Sequence, residues 1–176
     1  MLPNLVLIGF MGCGKSSVGR RLATLTGHRF VDTDELVVQS ERRDIPEIFS
    51  TSGEAYYREV EKQSLERLVG VYGIVLSTGG GIVLCAANRQ TLKSIGVVAW
   101  LDASPDILFE RAIRSGRRPL LQTENPRETF DSLLQKRREL YGSTADFRID
   151  CTRTDHEETA HLLLDEALRK YRSFES

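Results

Sequence analysis

Short apolar runs alternate with longer segments of helical periodicity along this chain. Five of the runs have the length and the β-branched or aromatic content that strands favour; in order they are NLVLIGF, RFVD, GIVLSTGGG, GVVAWLDAS and DFRIDC. Between them lie segments of the kind that connect parallel strands. This alternation predicts βα units around a parallel sheet of five strands, and hence the α/β class.

Two of the helical segments have recognisable ends. KSSVGRRLATLTG is predicted to form the first helix, because Gly27 follows its last apolar position. SPDILFERAIRSG begins with Ser104 as a predicted N-cap and Pro105 at the first helical position. A longer insert, residues 35–73, separates the second and third strands and is too helical to be a linker. It predicts a small helical subdomain.

The composition narrows the classes of function. With 176 residues, of which 40% are hydrophobic and 28% charged, the chain suits one domain, residues 1–176. Its formal net charge of -1 provides no general attraction to nucleic acid or to an anionic membrane, so neither is expected as a partner. No window approaches the roughly 20 apolar residues of a membrane span, and the N-terminus resembles no export signal. The scattered Cys13, Cys85 and Cys151 suit reduced thiols, and these features together predict a cytoplasmic protein.

The segment Gly9–Ser16, GFMGCGKS, matches the phosphate-binding P-loop pattern G-x-x-x-x-G-K-[ST] and lies between an apolar strand and a helix. Its glycines allow successive backbone N–H groups to turn toward phosphate oxygens, and the helix N-terminus adds positive potential. Lys15 is predicted to reach the β- and γ-phosphates of a nucleotide, and Ser16 to ligate Mg²⁺. The predicted nucleotide-binding residues of this segment are Gly12, Cys13, Gly14, Lys15, Ser16 and Ser17.

A P-loop alone does not distinguish an ATPase, a GTPase switch and a kinase. GTPases usually carry a D-x-x-G switch and an N-K-x-D motif that reads guanine. No aspartate in this chain is followed by glycine three residues later, and no stretch begins Asn-Lys. The sequence therefore disfavours a GTPase switch.

Acidic residues follow two of the predicted strands. Asp32 and Asp34 lie two residues apart after the second strand, on the sheet edge that also carries the P-loop. Two carboxylates beside a triphosphate suit two tasks: one holds Mg²⁺ through its water shell, and the other accepts a hydrogen bond from an attacking hydroxyl. Asp102 ends another apolar strand in the manner of a Walker B aspartate and is a second candidate for holding Mg²⁺. A capping role beside Ser104 would also explain an aspartate at this position.

Three consecutive glycines, Gly79–Gly81, follow the third strand in STGGG. Such a run weakens a sheet unless the backbone must approach something closely, and a tight turn needs only one or two glycines. On the same edge as the P-loop, the run predicts a backbone wall for a small polar substrate. Ser77 is then expected near the water shell of the metal.

Together these features resemble the shikimate kinase family, which belongs to the nucleoside-monophosphate-kinase-like group of P-loop folds. The resemblance covers nearly the whole chain and rests on GFMGCGKSSVGRRLA, FVDTDE, IPEIFSTSGEAYYREVE, STGGGIV, RRPLL and KRRELYGSTADFRID, in family order. It implies ATP- and Mg²⁺-dependent phosphorylation of the 3-hydroxyl of shikimate. The implied structure is a three-layer α/β/α P-loop fold with a parallel sheet in the order 2-3-1-4-5. A helical substrate-binding subdomain at about residues 33–61 and a lid at about residues 112–124 complete it.

The family pattern also implies roles for single residues. Asp34 meets the reacting hydroxyl, and Asp32 lies near Mg²⁺. Arg58 and Arg137 grip the substrate carboxylate, for which bidentate arginine pairing is well suited. The substrate pocket is completed by the backbone of Gly79, Gly80 and Gly81.

The lid arginine of the family stands directly before Pro-Leu-Leu, which makes Arg118 the residue expected to contact the transferring phosphoryl group. Arg117 lies next to it, and a register in which Arg117 points at the phosphates stays open. Arg114 and Arg153 resemble adenine-stacking positions. The catalytic residues implied by the resemblance are Lys15, Asp34 and Arg118.

The chain departs from the family pattern at Tyr57, where the family often has Phe, and in the short lid sequence RSGRR. The histidines, His28, His156 and His161, are predicted to lie in turn or helix-surface contexts without catalytic roles. Two alternatives remain: another small-molecule kinase on the same scaffold, such as a gluconate kinase, and a non-catalytic relative. We expect a monomer that acts on ATP and shikimate with Mg²⁺ as cofactor.

Overall fold

The chain folds into alternating strands and helices, and the computed structural model describes residues 2–114 and 119–174. The strands in these ranges are β1 (Leu5–Ile8), β2 (Arg29–Asp32), β3 (Ile74–Ser77), β4 (Val97–Asp102) and β5 (Phe147–Asp150). The helices are α1 (Lys15–Thr26), α2 (Thr33–Glu41), α3 (Ile45–Glu66), α4 (Ala86–Ile95), α5 (Pro105–Arg114), α6 (Pro126–Thr144) and α7 (His156–Phe174). Short 3₁₀ turns occupy Ile82–Leu84 and Pro119–Leu121.

The strands form one parallel sheet in the order β2-β3-β1-β4-β5, which confirms the predicted topology. Every residue of β1, β3 and β4 is buried, as expected for central parallel strands that are covered on both faces. Leu7 of β1 and Asp32 of β2 both pair with Ser77 of β3. The loops that follow these three strands therefore leave the sheet along one edge.

Helices cover both faces of the sheet and give the predicted three-layer α/β/α arrangement. α1 and α7 pack against each other and against the sheet, whereas α4 and α6 both contact β4 and the Ile82–Leu84 turn. The core between the layers consists mainly of Leu, Ile and Val side chains from the central strands. Burying one such side chain contributes about 1.5–3 kcal/mol.

The insert between β2 and β3 forms α2 and α3, where the sequence predicted a helical subdomain. Asp32 caps the N-terminus of α2, because its Oδ1 accepts a hydrogen bond from the N–H of Asp34 at 3.0 Å. Arg42 follows the last residue of α2 and adopts the left-handed conformation with φ of 54°. α3 is kinked at Gly53, where φ is 83° and ψ is 169°. The insert has an apolar cluster of its own, which contains Val37, Ile48, Tyr57 and Val60.

The predicted helix ends agree with the structure. Gly27 caps the C-terminus of α1 in the left-handed conformation with φ of 69°, and α5 begins at Pro105. Of the predicted lid, residues 112–124, the described parts comprise the end of α5 and the segment that contains the Pro119–Leu121 turn. Residues 115–118 lie outside the described residues. No helix in the described ranges combines the length and apolar character that a bilayer crossing requires.

Candidate active site

The P-loop follows β1 and turns directly into α1. Gly12 and Gly14 have φ values of 85° and 87°, a left-handed conformation that glycine adopts without steric cost. A Cβ at Gly9 would lie 2.3 Å from the carbonyl oxygen of Leu101, and a Cβ at Gly12 would lie 2.3 Å from that of Leu108. The glycines are therefore required by close backbone contacts with β4 and α5 as well as by the turn itself.

Lys15 begins α1, and its ammonium group folds back over the P-loop. Nζ donates to the carbonyl oxygens of Gly9 at 2.7 Å and Phe10 at 3.1 Å, and only 9% of the residue is exposed. The cation thus lies beside the N–H groups at the start of the helix. A buried cation and a helix N-terminus together create a strong field for an anion.

Three oxygen-bearing side chains meet next to the P-loop. Ser16 Oγ donates to Asp32 Oδ2 at 2.9 Å and lies 3.3 Å from Ser77 Oγ. The described residues contain no group of three or more His, Cys, Asp or Glu side chains that could enclose a metal. One carboxylate with two hydroxyls nevertheless fits Mg²⁺, because Mg²⁺ in nucleotide sites keeps several water ligands and shares phosphate oxygens.

Asp102, the competing candidate for the metal task, is engaged elsewhere. Its Oδ2 lies 2.8 Å from the guanidinium of Arg148 and 3.1 Å from that of Arg138, and the residue is buried. Asp102 does not line the cleft beside the P-loop. Because two arginines neutralise this carboxylate, the geometry favours Asp32 over Asp102 for the predicted metal role.

Asp34 lies on the first turn of α2, where Tyr57 of α3 reaches it. Tyr57 Oη donates to Asp34 Oδ1 at 2.8 Å and lies 3.5 Å from Glu61 Oε1. Burial raises the pKa of the Tyr57 hydroxyl, and the charges of Asp34 and Glu61 raise it further. The hydroxyl therefore stays protonated and orients the Asp34 carboxylate.

Glu61, which no sequence pattern singled out, is a completely buried carboxylate of α3. Burial raises the pKa of its carboxyl group, and Arg58 opposes this shift by donating to Oε2 at 2.9 Å. Arg58 also donates to Glu54 Oε1 at 3.0 Å. These two carboxylates fix the guanidinium beside Gly81, where a Cβ would lie 2.3 Å from it.

The glycine run passes between these side chains and the core. A Cβ at Gly79 would lie 2.8 Å from Asp34 Oδ1. The N–H of Gly79 donates to Thr33 Oγ1 at 2.9 Å, and the carbonyl of Gly80 accepts a hydrogen bond from Tyr141 Oη. The run is thus anchored at two points, and Gly79 and Gly81 leave no room for a Cβ. Its role as a backbone wall for the substrate stays a prediction.

Arg137 of α6 is a buried cation. The residue is 4% exposed, and its guanidinium carbon lies 5.5 Å from the centroid of the Phe10 ring. In the described part of the chain, no carboxylate forms a salt bridge with it. Since an unpaired buried charge is costly, the guanidinium is suited to pair with an anionic group of a ligand.

One cleft of about 570 Å³ joins the P-loop to the acidic residues. It brings together the phosphate-binding loop, both aspartates and the start of the glycine run, whereas Arg58 and Arg137 do not line it. The lining residues are Met11, Gly12, Gly14, Lys15, Ser16, Ser17, Asp32, Asp34, Thr78, Gly79, Gly80, Arg111, Arg114 and His156.

Comparison with known proteins decides the family. The sequence model of shikimate kinase matches residues 11–168. The chain belongs to the shikimate kinase family. The shikimate kinase of Thermodesulfovibrio yellowstonii is 44% identical over 165 residues, which cover 94% of this chain and 95% of that protein. The shikimate kinase of Moorella thermoacetica is 42% identical over 173 residues, which cover 97% of each chain.

Solved structures agree with membership of the shikimate kinase family. The structure of a shikimate kinase from Acinetobacter baumannii in complex with shikimate superposes on this chain with a TM-score of 0.92 at 37% sequence identity. The match covers 97% of this chain and 95% of that chain. A gluconokinase from Sinorhizobium meliloti has a TM-score of 0.55 at 22% identity, and this likeness shows a shared fold alone. The gluconate kinase alternative is therefore not favoured.

Several residues implied by the shikimate kinase pattern lie at the margin of the cleft or beyond it. Arg114 lines the cleft, but its side chain is 75% exposed and pairs with Glu110. Arg153 is exposed and does not line the cleft, so its adenine contact stays a prediction. Arg117 and Arg118 lie outside the described residues, and the register of the lid arginine stays open.

Cys13 differs from its neighbours in the P-loop. It is buried and does not line the cleft. Its N–H donates to the carbonyl oxygen of Phe10 at 3.3 Å within the turn of the loop. Its contact with the nucleotide therefore stays a prediction.

Outside the P-loop and the STGGG segment, sequence reasoning missed two residues of the cleft, Arg111 and His156. Arg111 lies three residues before Arg114 on α5, so helical spacing was an available signal. His156 begins α7, and a Cβ at Gly14 would lie 3.3 Å from its Nε2. The packing of α7 on α1 brings this histidine to the P-loop, and nothing in the local sequence marks it.

Proposed function

We propose that this protein transfers the γ-phosphoryl group of ATP to the 3-hydroxyl of shikimate, forming shikimate 3-phosphate and ADP in aromatic amino acid biosynthesis. The observation that carries the proposal is the single cleft in which Lys15 and the P-loop lie beside Asp34 and the glycine run. Membership of the shikimate kinase family supports the choice of substrate. A non-catalytic relative is disfavoured, since both Lys15 and Asp34 are present in that cleft.

ATP is proposed to bind with its phosphates in the P-loop. The backbone N–H groups of the loop and the Lys15 ammonium would hold the β- and γ-phosphates. Arg114 at the cleft margin and Arg153 are proposed to contact the adenine. The remaining proposed nucleotide contacts are Gly12, Cys13, Gly14, Ser16, Ser17 and Arg118.

Shikimate is proposed to bind on the other side of the cleft, between the helical insert and the glycine run. Arg58 and Arg137 would pair with its carboxylate, and the fixed geometry of Arg58 and the burial of Arg137 favour such pairing. The backbone of Gly79–Gly81 would support the ring. Residues 33–61 therefore act as the substrate-binding part of a single domain.

Phosphoryl transfer requires positioning and charge stabilisation more than covalent chemistry from the protein. Asp34, held by Tyr57 at 2.8 Å, would accept a hydrogen bond from the 3-hydroxyl and align its oxygen with the γ-phosphorus. Lys15 stabilises the negative charge of the transferring group. Ser16 and Asp32 would hold Mg²⁺, which when bound neutralises charge on the phosphate oxygens.

The lid, residues 112–124, is proposed to cover the cleft and to exclude water that would otherwise hydrolyse ATP. Arg118 is its proposed catalytic residue. We further propose that the enzyme acts as a cytoplasmic monomer on these two small molecules, without nucleic acid or membrane partners.

A coupled assay of ADP release tests the proposed function. The purified protein is supplied with ATP, with or without Mg²⁺, and with shikimate, gluconate or a nucleoside monophosphate in turn. We expect Mg²⁺-dependent turnover with shikimate alone, and loss of measurable turnover in Asp34→Ala with a native circular dichroism spectrum. Turnover with gluconate but not shikimate would overturn the assignment.

A further inference from the structure

Tyr141 of α6 connects the glycine run to the core of the protein. The residue is completely buried, and its hydroxyl donates to the carbonyl oxygen of Gly80. Its ring stacks on Trp100 of β4, with centroids 5.9 Å apart and an interplanar angle of 28°. The sheet therefore sets the position of the ring, and the ring positions the hydroxyl that holds the loop after β3.

The Gly80 carbonyl shares a peptide plane with the N–H of Gly81. In a trans peptide these two groups point in opposite directions, and the described chain contains no cis peptide. Anchoring the carbonyl on Tyr141 therefore directs the Gly81 N–H away from the Tyr141 hydroxyl. The Arg58 guanidinium lies next to Gly81, since a Cβ at Gly81 would clash with it. Among the described residues, neither Gly80 nor Gly81 has a hydrogen-bond acceptor for its N–H.

Arg137 lies four residues before Tyr141, on the same face of α6. Burial raises the pKa of the Tyr141 hydroxyl, whereas Arg137 opposes this shift through its charge and a side-chain hydrogen bond, and the charge of Arg58 opposes it as well. Both arginines thus lie within electrostatic range of the hydroxyl. One helix face presents the anchor of the glycine backbone together with a buried cation.

We propose that Tyr141 is a positioning residue for the substrate carboxylate. Its hydroxyl fixes the Gly80–Gly81 peptide relative to Arg137, so that backbone N–H groups and a guanidinium are directed at one anion. Tyr141 acts through that peptide and does not itself bind the substrate. The inference rests on the proposed function, since the shikimate carboxylate is the shared ligand.

Tyr141→Phe removes the hydroxyl, with its contacts to the Gly80 carbonyl and to Arg137, and keeps the ring that stacks on Trp100. Loss of one neutral hydrogen bond, with freer rotation of the Gly80–Gly81 peptide, raises the KM and Kd for shikimate about three- to tenfold. The KM for ATP stays within about twofold of the wild-type value, since the P-loop is untouched. If Tyr141 had only a structural role, Tyr141→Phe would lower the unfolding temperature. It would not raise the shikimate constants more than the KM for ATP.

Shikimate binding is measured by isothermal titration calorimetry, which needs no reporter group. Titration with shikimate alone gives Kd, and the ADP-release assay gives both KM values. The matched control is Tyr56→Phe, which removes an exposed tyrosine hydroxyl that donates to Glu41 at 2.8 Å. Circular dichroism and thermal unfolding define a temperature at which both variants are folded, and every measurement is made below it.

A selective rise in the shikimate constants of Tyr141→Phe, with Tyr56→Phe at wild-type values, supports the inference. Unchanged shikimate constants overturn it and leave the proposed function intact, provided that the wild-type protein phosphorylates shikimate. A parallel rise in the KM values for ATP and shikimate also overturns it, because that result indicates a general loss of structure. Absence of wild-type turnover with shikimate overturns the inference and the proposed function together.

Discussion

Replacing Arg137 by methionine removes a buried positive charge while keeping much of the side-chain volume. The residue is 4% exposed and lies over the Phe10 ring, and within the described ranges it forms no salt bridge. Two opposite effects follow from this environment. Binding of an anionic substrate loses a charge-assisted contact, whereas the protein without substrate loses an unpaired buried charge.

The size of each effect can be derived from this geometry. A hydrogen bond to a charged group is worth about 1.5–3 kcal/mol, and every 1.4 kcal/mol changes a dissociation constant about tenfold. Arg137→Met should therefore raise the KM for shikimate about ten- to a hundredfold, with the KM for ATP nearly unchanged. The unfolding temperature should stay the same or rise, because the desolvation cost of the cation is removed.

The assay measures ADP release at varied shikimate and then at varied ATP, together with thermal unfolding. Arg138→Met is the matched control, since Arg138 is the next residue of α6 and pairs with Asp102 at 3.1 Å instead. It should lower the unfolding temperature slightly, because Asp102 keeps Arg148 as a partner at 2.8 Å, and it should leave both KM values unchanged. Arg137→Lys should lie between wild type and Arg137→Met, since lysine keeps the charge but loses the planar fork.

The result that would refute this reasoning is a shikimate KM within about threefold of wild type in a folded Arg137→Met protein. The buried guanidinium would then have a structural role, and the substrate carboxylate would have to bind elsewhere. A large fall in the unfolding temperature of Arg137→Met would contradict the second half of the reasoning, because it would mean that the charge is already well compensated.

Three further predictions concern the lid and the thiols. Arg118→Ala should lower kcat by a factor on the order of 10³ with little change in the shikimate KM, because a cation at the transferring phosphoryl group is lost. If Arg117→Ala lowers kcat instead and Arg118→Ala does not, the lid register is shifted by one residue. Ellman's reagent should modify the half-buried Cys85 in the native protein and spare Cys151, because burial raises the pKa of the Cys151 thiol from about 9 to about 11. The pKa of this thiol is higher in the folded state than in the unfolded state, so its contribution to the free energy of unfolding is complete below about pH 9 and is lost as the pH rises toward about 11. In a Cys151→Ala protein, the free energy of unfolding should therefore fall less over this pH range than in the wild type.

Much of this fold could be predicted from the sequence, because its signals are local. The P-loop at Gly9–Ser16 needs only a strand, a glycine-rich turn and a helix in succession, and Gly27 and Pro105 mark helix ends through their own backbone preferences. The insert was recognised because its helical pattern is too long for a simple crossover. The strand order β2-β3-β1-β4-β5 was inferred from the resemblance to a family and not from these local signals.

The remaining features depend on contacts between residues far apart in the chain, which no local pattern encodes. Asp102 resembles a metal-binding aspartate by its position after β4, yet Arg138 and Arg148 neutralise it once α6 and β5 are in place. Glu61 resembles an ordinary helix-surface carboxylate, and only its packing under the glycine run makes it a buried partner of Arg58. Tertiary packing also brings His156 to the P-loop and places the hydroxyl of Tyr141 on the Gly80 carbonyl. Sequence therefore determined where the phosphate-binding backbone lies, whereas tertiary packing decided which charges around it are paired, because burial and ion pairing arise only when distant elements meet.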